Sequence, residues 1–256
     1  MQFTIHIAAG GLLCMRVRLY ILLILVFLLF FAVYLCRKAG IVPAMDSSCG
    51  KTSIVIDPGH GGEDGGAVSS DGIRESRINL AISLRMDSLM GLFGWPCVLT
   101  RMEESIEYPP SAATVKKRKQ ADLERRVQLV NHLSVPVVLI SIHQNKYSDE
   151  GPRGAQVLYR NSEESICFAS FVQGRLKEAL GSKNVRSSVP VSDSIYLMRK
   201  VRCPAILVEC GFLSNPEESN LLRSEAYQTR LALCMACACA EYAREWENAY
   251  GQGGKS

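Results

Sequence analysis

The sequence has little excess charge and lacks most of the short motifs that mark common enzyme classes. Its 29 Lys and Arg against 25 Asp and Glu leave a net charge of +4, and the densest basic run is residues 116–119. Nucleic-acid-binding domains carry a broad positive surface, so this distribution argues against that class. There is no G-x-S-x-G elbow, phosphate-binding loop, dinucleotide fingerprint or H-E-x-x-H helix, which excludes the enzyme classes that need them.

Charge is absent altogether from one long segment. Residues 19–35 (LYILLILVFLLFFAVYL) carry no charged side chain, and about 17–25 apolar residues are enough to span a bilayer as a helix. The run is longer than the apolar core of a cleaved signal peptide. We therefore expect an uncleaved transmembrane signal anchor and an extracytoplasmic folded domain. The expected parts are an N-terminal segment at 1–18, the anchor at 19–35, a linker at 36–51, one folded domain at 52–248 and a flexible tail at 249–256.

The ten cysteines do not have the spacing of a disulfide framework. Cys234, Cys237 and Cys239 suggest a metal site, but they lie in a helical pattern that is rich in small residues. Cysteine behaves as a small apolar residue in a buried helix, and a zinc site needs ligands that this helix does not offer. We interpret these three cysteines as core residues.

Short β-branched runs alternate with helical patterns from residue 53 to residue 246. This alternation predicts an α/β domain with helices on both faces of a mainly parallel sheet. Functional residues in such a domain gather at the carboxyl ends of the strands. The predicted strands are 53–57, 96–100, 135–142, 155–159 and 205–210, and the predicted helices are 75–93, 122–133, 163–180 and 217–246 with a break near 224. Residues 102–120 are charged and aperiodic, and we predict a surface loop there.

Four polar residues stand out because of where they lie. His60 follows the first strand among glycines, and His143 ends the central apolar strand. Glu75 opens a helix, and Glu209 lies near the end of a strand that should be buried. The plain alternatives are a polar turn residue for His60, a structural histidine for His143 and a helix-dipole contact for Glu75. Glu209 is harder to explain in this way, because a buried carboxylate is costly unless it is paired or coordinated.

Two histidines and a carboxylate form a ligand set suited to catalytic zinc, with the fourth position left open. If His60, Glu75 and His143 hold the metal, a separate carboxylate is needed for proton transfer. Glu209 would then take a proton from water and pass it to the departing amine. A thiol mechanism through Cys210 and His143 is the weaker alternative, because it leaves His60 and Glu75 without a role.

Four ordered motifs are IVIDPGHGGEDGGA at 54–67, GIRESRINLAISL at 72–84, LISIHQN at 139–145 and AILVECGFLSNPEE at 205–218. Together they resemble the zinc-dependent N-acetylmuramoyl-L-alanine amidases, and the resemblance covers essentially all of residues 53–246. It implies zinc binding by His60, Glu75 and His143, acid–base catalysis by Glu209 and a sheet of about six strands between helices.

Within that family, residues 117–127 and 194–199 are similar to the germination-specific, spore-cortex branch. The resemblance implies that the substrate is peptidoglycan. It also implies that the enzyme acts in maturation of the spore cortex, where muramic-δ-lactam forms, and in germination. The site would face the cell envelope or the space between the forespore membranes, with an exported accessory protein of unknown identity. A zinc peptidase acting elsewhere in the stem peptide, and an inactive membrane-tethered wall-binding protein, are the alternatives.

Overall fold

The chain divides into two compact units, residues 1–46 and 47–256. In this computed structural model, the structure describes residues 52–95, 97–134, 136–181 and 184–250, and in the first unit only the helical residues 17, 20, 21, 23, 24 and 27. Most of the predicted anchor at 19–35, the predicted linker and most of the predicted tail lie outside this described part. Among the described residues, no helix has the length and apolar character needed to cross a membrane. The anchor therefore stays a prediction.

The second unit contains a six-stranded sheet. The strands are β1 (Ser53–Pro58), β2 (Cys97–Leu99), β3 (Val137–Asn145), β4 (Gln156–Tyr159), β5 (Val189–Pro190) and β6 (Ala205–Phe212). They lie in the order β2-β1-β3-β6-β4-β5, and neighbours run parallel except for β4, which is antiparallel to β6. The mainly parallel sheet predicted from the sequence is thereby confirmed.

Helices cover both faces of the sheet, as expected of a three-layer α/β domain. The helices are α1 (Glu75–Leu92), α2 (Val115–Asn131), α3 (Glu163–Leu180), α4 (Tyr196–Lys200), α5 (Pro216–Arg223) and α6 (Glu225–Tyr250). The larger core cluster joins one face to α1, α3 and α6, and the smaller cluster joins the other face to α2 and α4. The predicted break near Ser224 is confirmed, because that residue separates α5 from α6.

The surface loop predicted at 102–120 is partly wrong, because α2 begins at Val115. Thr114 caps the helix by accepting a hydrogen bond from the Lys117 amide at 3.3 Å. The first turns carry mostly exposed lysine and arginine, which favour helix without producing an apolar period. The short elements β5 and α4 were also not predicted, since each is too short to show a period.

The cysteine interpretation is largely confirmed. Cys239 is fully buried in the larger core cluster and Cys234 packs against it, whereas Cys237 is half-buried beside them. The seven cysteines in the described part of the chain are all free.

Strand alternation separates the apolar core from the polar edge. Ile54, Ile140 and Val208 point into the larger cluster, whereas Val55 and Leu139 point into the smaller one. At the carboxyl ends of β1, β3 and β6 the smaller cluster gives way to polar side chains on the same face. These strand ends are neighbours in the sheet, so residues far apart in the sequence meet there.

Ile140 lies at the centre of the larger cluster and is 0% exposed. We expect Ile140→Ala to lower the free energy of unfolding by about 2–5 kcal/mol, because it removes buried methyl groups and leaves a cavity. The matched control is Ile166→Ala in α3, where the side chain is 41% exposed. Urea denaturation of both variants checks this, and equal losses would contradict the described core.

Candidate metal centre and active site

The structure brings His60, Glu75 and His143 together, as the sequence predicted. The His60 Nε2 atom lies 3.3 Å from Glu75 Oε2, and the His143 Nδ1 atom lies 3.0 Å from Glu75 Oε1. One ligand atom from each residue fits within 4.8 Å, and no second cluster of this kind exists in the described part of the chain. Zinc binds nitrogen and oxygen at about 2.0–2.2 Å in a tetrahedron. These spacings and donor types therefore fit a zinc ion.

The backbone around His60 is unusual. His60 has φ of 60° and is the only non-glycine residue with a positive φ in the described ranges. Its carbonyl oxygen accepts a hydrogen bond from the Arg126 guanidinium at 2.6 Å. The Pro58 carbonyl accepts from both Arg126, at 2.8 Å, and Arg101, at 3.0 Å, and the Gly59 carbonyl accepts from Arg101 at 3.0 Å. Two arginines thus hold three successive carbonyl groups of the turn that presents His60.

Two glycines leave room for the candidate ligands. A Cβ atom on Gly59 would lie 2.3 Å from the His143 ring. Gly66 has φ of +67°, and a Cβ atom there would lie 2.5 Å from Glu75 Oε2. A side chain at either position would displace a candidate ligand, which explains these two glycines of the first motif.

Glu75 is the buried member of the cluster. Its Oε2 accepts from the Ala67 amide at 2.8 Å, and its Oε1 accepts from the Gln144 amide at 3.0 Å and from the Asn79 side chain at 3.2 Å. Burial by itself would raise the pKa of the Glu75 carboxyl, but hydrogen bonds with both histidines lower that pKa well below its usual range. The carboxylate accepts no backbone N–H of its own helix, so it is not a helix cap.

His60 is oriented by Asp64, a residue to which the sequence analysis gave no role. Asp64 Oδ2 lies 3.0 Å from His60 Nδ1, which leaves Nε2 facing Glu75, and it also pairs with Lys119 at 2.8 Å. Burial alone would lower the pKa of His60, but the hydrogen bonds with Asp64 and Glu75 raise it to about 9. Histidines that bind metals usually donate their second N–H to such a carboxylate.

Glu209 lies opposite His143 on the neighbouring strand, in direct register. Its Oε2 atom is inaccessible to solvent and has no hydrogen-bond partner among the described residues. Burial raises the pKa of the Glu209 carboxyl to about 7. The side chain is therefore suited to take up and release a proton near neutral pH.

Cys210 does not belong to this site. Its side chain points into the larger core cluster on the other face of the sheet, where it is fully buried and burial raises the pKa of its thiol far above the usual value. A nucleophilic thiol must be ionised and accessible. The thiol alternative considered from the sequence is therefore wrong.

A charged network lies beneath the cluster. Asp57 accepts hydrogen bonds from Arg126 at 2.8 Å, Ser141 at 2.6 Å and Thr100 at 2.5 Å, and Asp122 accepts from Arg126 at 2.8 Å. Burial opposes ionisation of Asp57, but Arg126 and the two hydroxyl groups lower its pKa to about 2. The buried Arg126 charge is thus balanced by two carboxylates.

A cavity of about 230 Å³ opens beside His60 and His143. Lys119 and Leu123 of α2 line it on one side, and residues 194–198 line it on the other. The two segments that resemble the germination-specific branch, residues 117–127 and 194–199, therefore both contribute to the wall of this cleft.

Comparisons with known proteins agree with this geometry. The N-acetylmuramoyl-L-alanine amidase family, Amidase_3, matches residues 54–240. The chain is 36% identical over 180 residues to the germination-specific N-acetylmuramoyl-L-alanine amidase of Bacillus subtilis. The aligned region covers 70% of this chain and 74% of that protein.

Two solved structures share the fold. The CwlD amidase of Clostridioides difficile, solved in complex with the GerS lipoprotein, is 32% identical with a TM-score of 0.71 and covers 76% of this chain and 98% of that one. The catalytic domain of CwlV, an N-acetylmuramoyl-L-alanine amidase from Bacillus (Paenibacillus) polymyxa, is 29% identical with a TM-score of 0.64 and covers 75% and 98%. The chain therefore belongs to the N-acetylmuramoyl-L-alanine amidase family.

Proposed function

We propose that this amidase uses one zinc ion, held by His60, Glu75 and His143, to hydrolyse the bond between N-acetylmuramic acid and L-alanine in peptidoglycan. The observation that carries the proposal is the Glu209 carboxylate on β6, the strand next to His143. Its Oε2 atom is inaccessible to solvent and has no hydrogen-bond partner among the residues that the structure describes. A carboxylate in such a setting is costly unless a ligand or reactant pairs with it.

The chain's own residues supply positioning and proton transfer. When bound, zinc supplies Lewis-acid chemistry, because it polarises a carbonyl group and acidifies water. Glu209 takes a proton from the attacking water while the new C–O bond forms at the lactyl carbonyl carbon. Glu209 then gives that proton to the amide nitrogen as the C–N bond breaks, so that L-alanine leaves as a neutral amine.

The biological setting we propose is the spore cortex, where removal of stem peptides precedes muramic-δ-lactam formation. Support comes from the 36% identity to a germination-specific amidase and from residues 194–198 in the cleft wall. Peptidoglycan lies outside the cytoplasmic membrane, so we further propose that the apolar residues 19–35 anchor an extracytoplasmic domain. The CwlD structure contains a lipoprotein, and we propose an exported accessory protein for this chain as well.

Digestion of purified peptidoglycan by the full-length chain tests the reaction. We expect muramic acid residues without peptide, loss of activity with a chelator, and recovery when zinc is added back. Cut peptides that remain attached to the glycan would instead identify a zinc peptidase. Absence of any product from a zinc-loaded, folded protein would identify an inactive wall-binding protein.

Glu209→Gln keeps the shape of the side chain but cannot accept a proton. We expect zinc content to stay at the wild-type level and kcat to fall by about a hundredfold or more, the scale of general acid–base catalysis. Release of stem peptides from peptidoglycan measures this. The control is Glu225→Gln, because Glu225 is an exposed residue at the start of α6, and unchanged activity in Glu209→Gln would remove that residue from the mechanism.

Asp64→Ala removes the carboxylate that orients His60. We expect zinc affinity to fall by about 10–100-fold, as is usual when a ligating histidine loses its hydrogen-bond partner. Competition with a chromophoric chelator measures the dissociation constant, and circular dichroism verifies the fold. Asp149→Ala is the control, because Asp149 is exposed and its carboxylate contacts only a nearby backbone amide. Equal affinities in all three proteins would show that Asp64 does not support the metal.

A further inference from the structure

The row of side chains that includes His143 and Glu209 continues across the sheet to Gln156. His143 is opposite Glu209 on β6, and Glu209 is opposite Gln156 on β4. Side chains of residues in register on neighbouring strands share a face of the sheet, and neighbouring strands lie about 4.7–4.9 Å apart. Gln156 therefore lies one strand beyond Glu209, on the side away from the metal cluster.

Gln156 holds the guanidinium group of Arg186. Its Oε1 accepts from Arg186 Nη1 at 2.9 Å, and its Nε2 donates to the Ser187 carbonyl at 3.0 Å. Arg186 Nε donates to the Arg153 carbonyl at 2.7 Å, and its Cζ lies 4.5 Å from the centre of the Phe212 ring. Three contacts thus fix the guanidinium group of Arg186 beside the active-site row.

No carboxylate of the described residues pairs with this arginine. Its Nη2 has no hydrogen-bond partner within the same part of the chain. Glu218 is close enough to feel its charge, but both Glu218 oxygens accept from the amides of Gly154 and Phe212. The neighbouring Arg153, by contrast, pairs with Glu217 at 3.4 Å. Arg186 therefore keeps a charge and a donor for a ligand.

The proposed reaction indicates which part of the substrate would lie near Arg186. In the proposed function Glu209 protonates the departing amine, which puts the amine side of the scissile bond next to Glu209. Gln156 lies on the side of Glu209 that faces away from the metal cluster, where the stem peptide would leave. Two residues of extended peptide span about 7 Å, and neighbouring strands are about 4.8 Å apart. The second stem residue therefore falls within reach of Arg186.

We infer that Gln156 and Arg186 form the subsite for the stem peptide, and that Arg186 binds the free carboxylate of its second residue, an isoglutamate. The inference rests on the proposed function. Arginine suits this role because its planar guanidinium group binds carboxylates through two parallel hydrogen bonds.

Two synthetic substrates test the inference. Both are N-acetylmuramoyl-L-alanyl tripeptides in which the third residue is joined to the γ-carboxyl of the second, so that they differ only in an α-carboxylate (isoglutamate) against an α-carboxamide (isoglutamine) at the second residue. We expect the full-length protein to cleave the carboxylate form with a kcat/KM about tenfold or more higher, the scale of a hydrogen bond to a charged group. Arg186→Met should lose that preference through a higher KM for the carboxylate form, with little change for the amide.

Arg186→Lys should keep part of the preference. Arg175→Met is the matched control that should keep all of it, because Arg175 pairs with Glu241 and Glu178 and not with the residues that hold Arg186. Equal cleavage of the two substrates by the wild type would overturn this inference and leave the proposed function intact. An equal loss on both substrates in Arg186→Met, with the lysine variant folded and no better, would also overturn it. Failure of the zinc-loaded wild type to cleave either substrate or peptidoglycan would overturn the proposed function and the inference together.

Discussion

The site depends on one constraint, the left-handed backbone of His60 at the end of β1. For an L-residue this conformation costs about 1–2 kcal/mol. Arg126 and Arg101 offset the cost with hydrogen bonds to the Pro58, Gly59 and His60 carbonyls, and a hydrogen bond involving a charged group contributes about 1.5–3 kcal/mol. The protein's own side chains therefore hold the turn in place.

The hydrogen bonds from Arg126 to the His60 turn also explain why charged side chains are buried at the carboxyl ends of β1 and β3. The Arg126 side chain is only 2% exposed, and an unpaired guanidinium group there would be strongly destabilising. Asp57 and Asp122 balance its charge, and the hydroxyl groups of Ser141 and Thr100 complete the shell around Asp57. Strand β1, helix α2 and strand β3 are thereby joined at the point where His60 and His143 emerge.

Sequence patterns were sufficient for the parts of the molecule that have a period or a motif. The long strands and helices followed from apolar spacing, and His60, Glu75, His143 and Glu209 followed from their places at strand and helix ends. Arg126 gave no comparable signal. It lies in a charged helix whose other arginines are half-buried (Arg118) or exposed (Arg125), and only the folded chain shows that Arg126 alone among them is buried.

Asp64, Gln156 and Arg186 were missed for a related reason. The role of Asp64 depends on which nitrogen of His60 faces Glu75, a matter of side-chain orientation that sequence spacing does not give. Gln156 joins the row of His143 and Glu209 only because β4 pairs with β6 in antiparallel register. Arg186 lies near the two-residue strand β5, where no periodicity could place it.

The central claim is that the His60 turn presents Nε2 to a zinc ion shared with Glu75 and His143. Anomalous X-ray scattering from crystals of the zinc-loaded protein, recorded on both sides of the zinc edge, tests it most directly. The account predicts one strong peak at about 2.0–2.2 Å from His60 Nε2, a Glu75 oxygen and His143 Nδ1, with His60 still at positive φ. A peak elsewhere, or a His60 ring turned away from the ion, would contradict it.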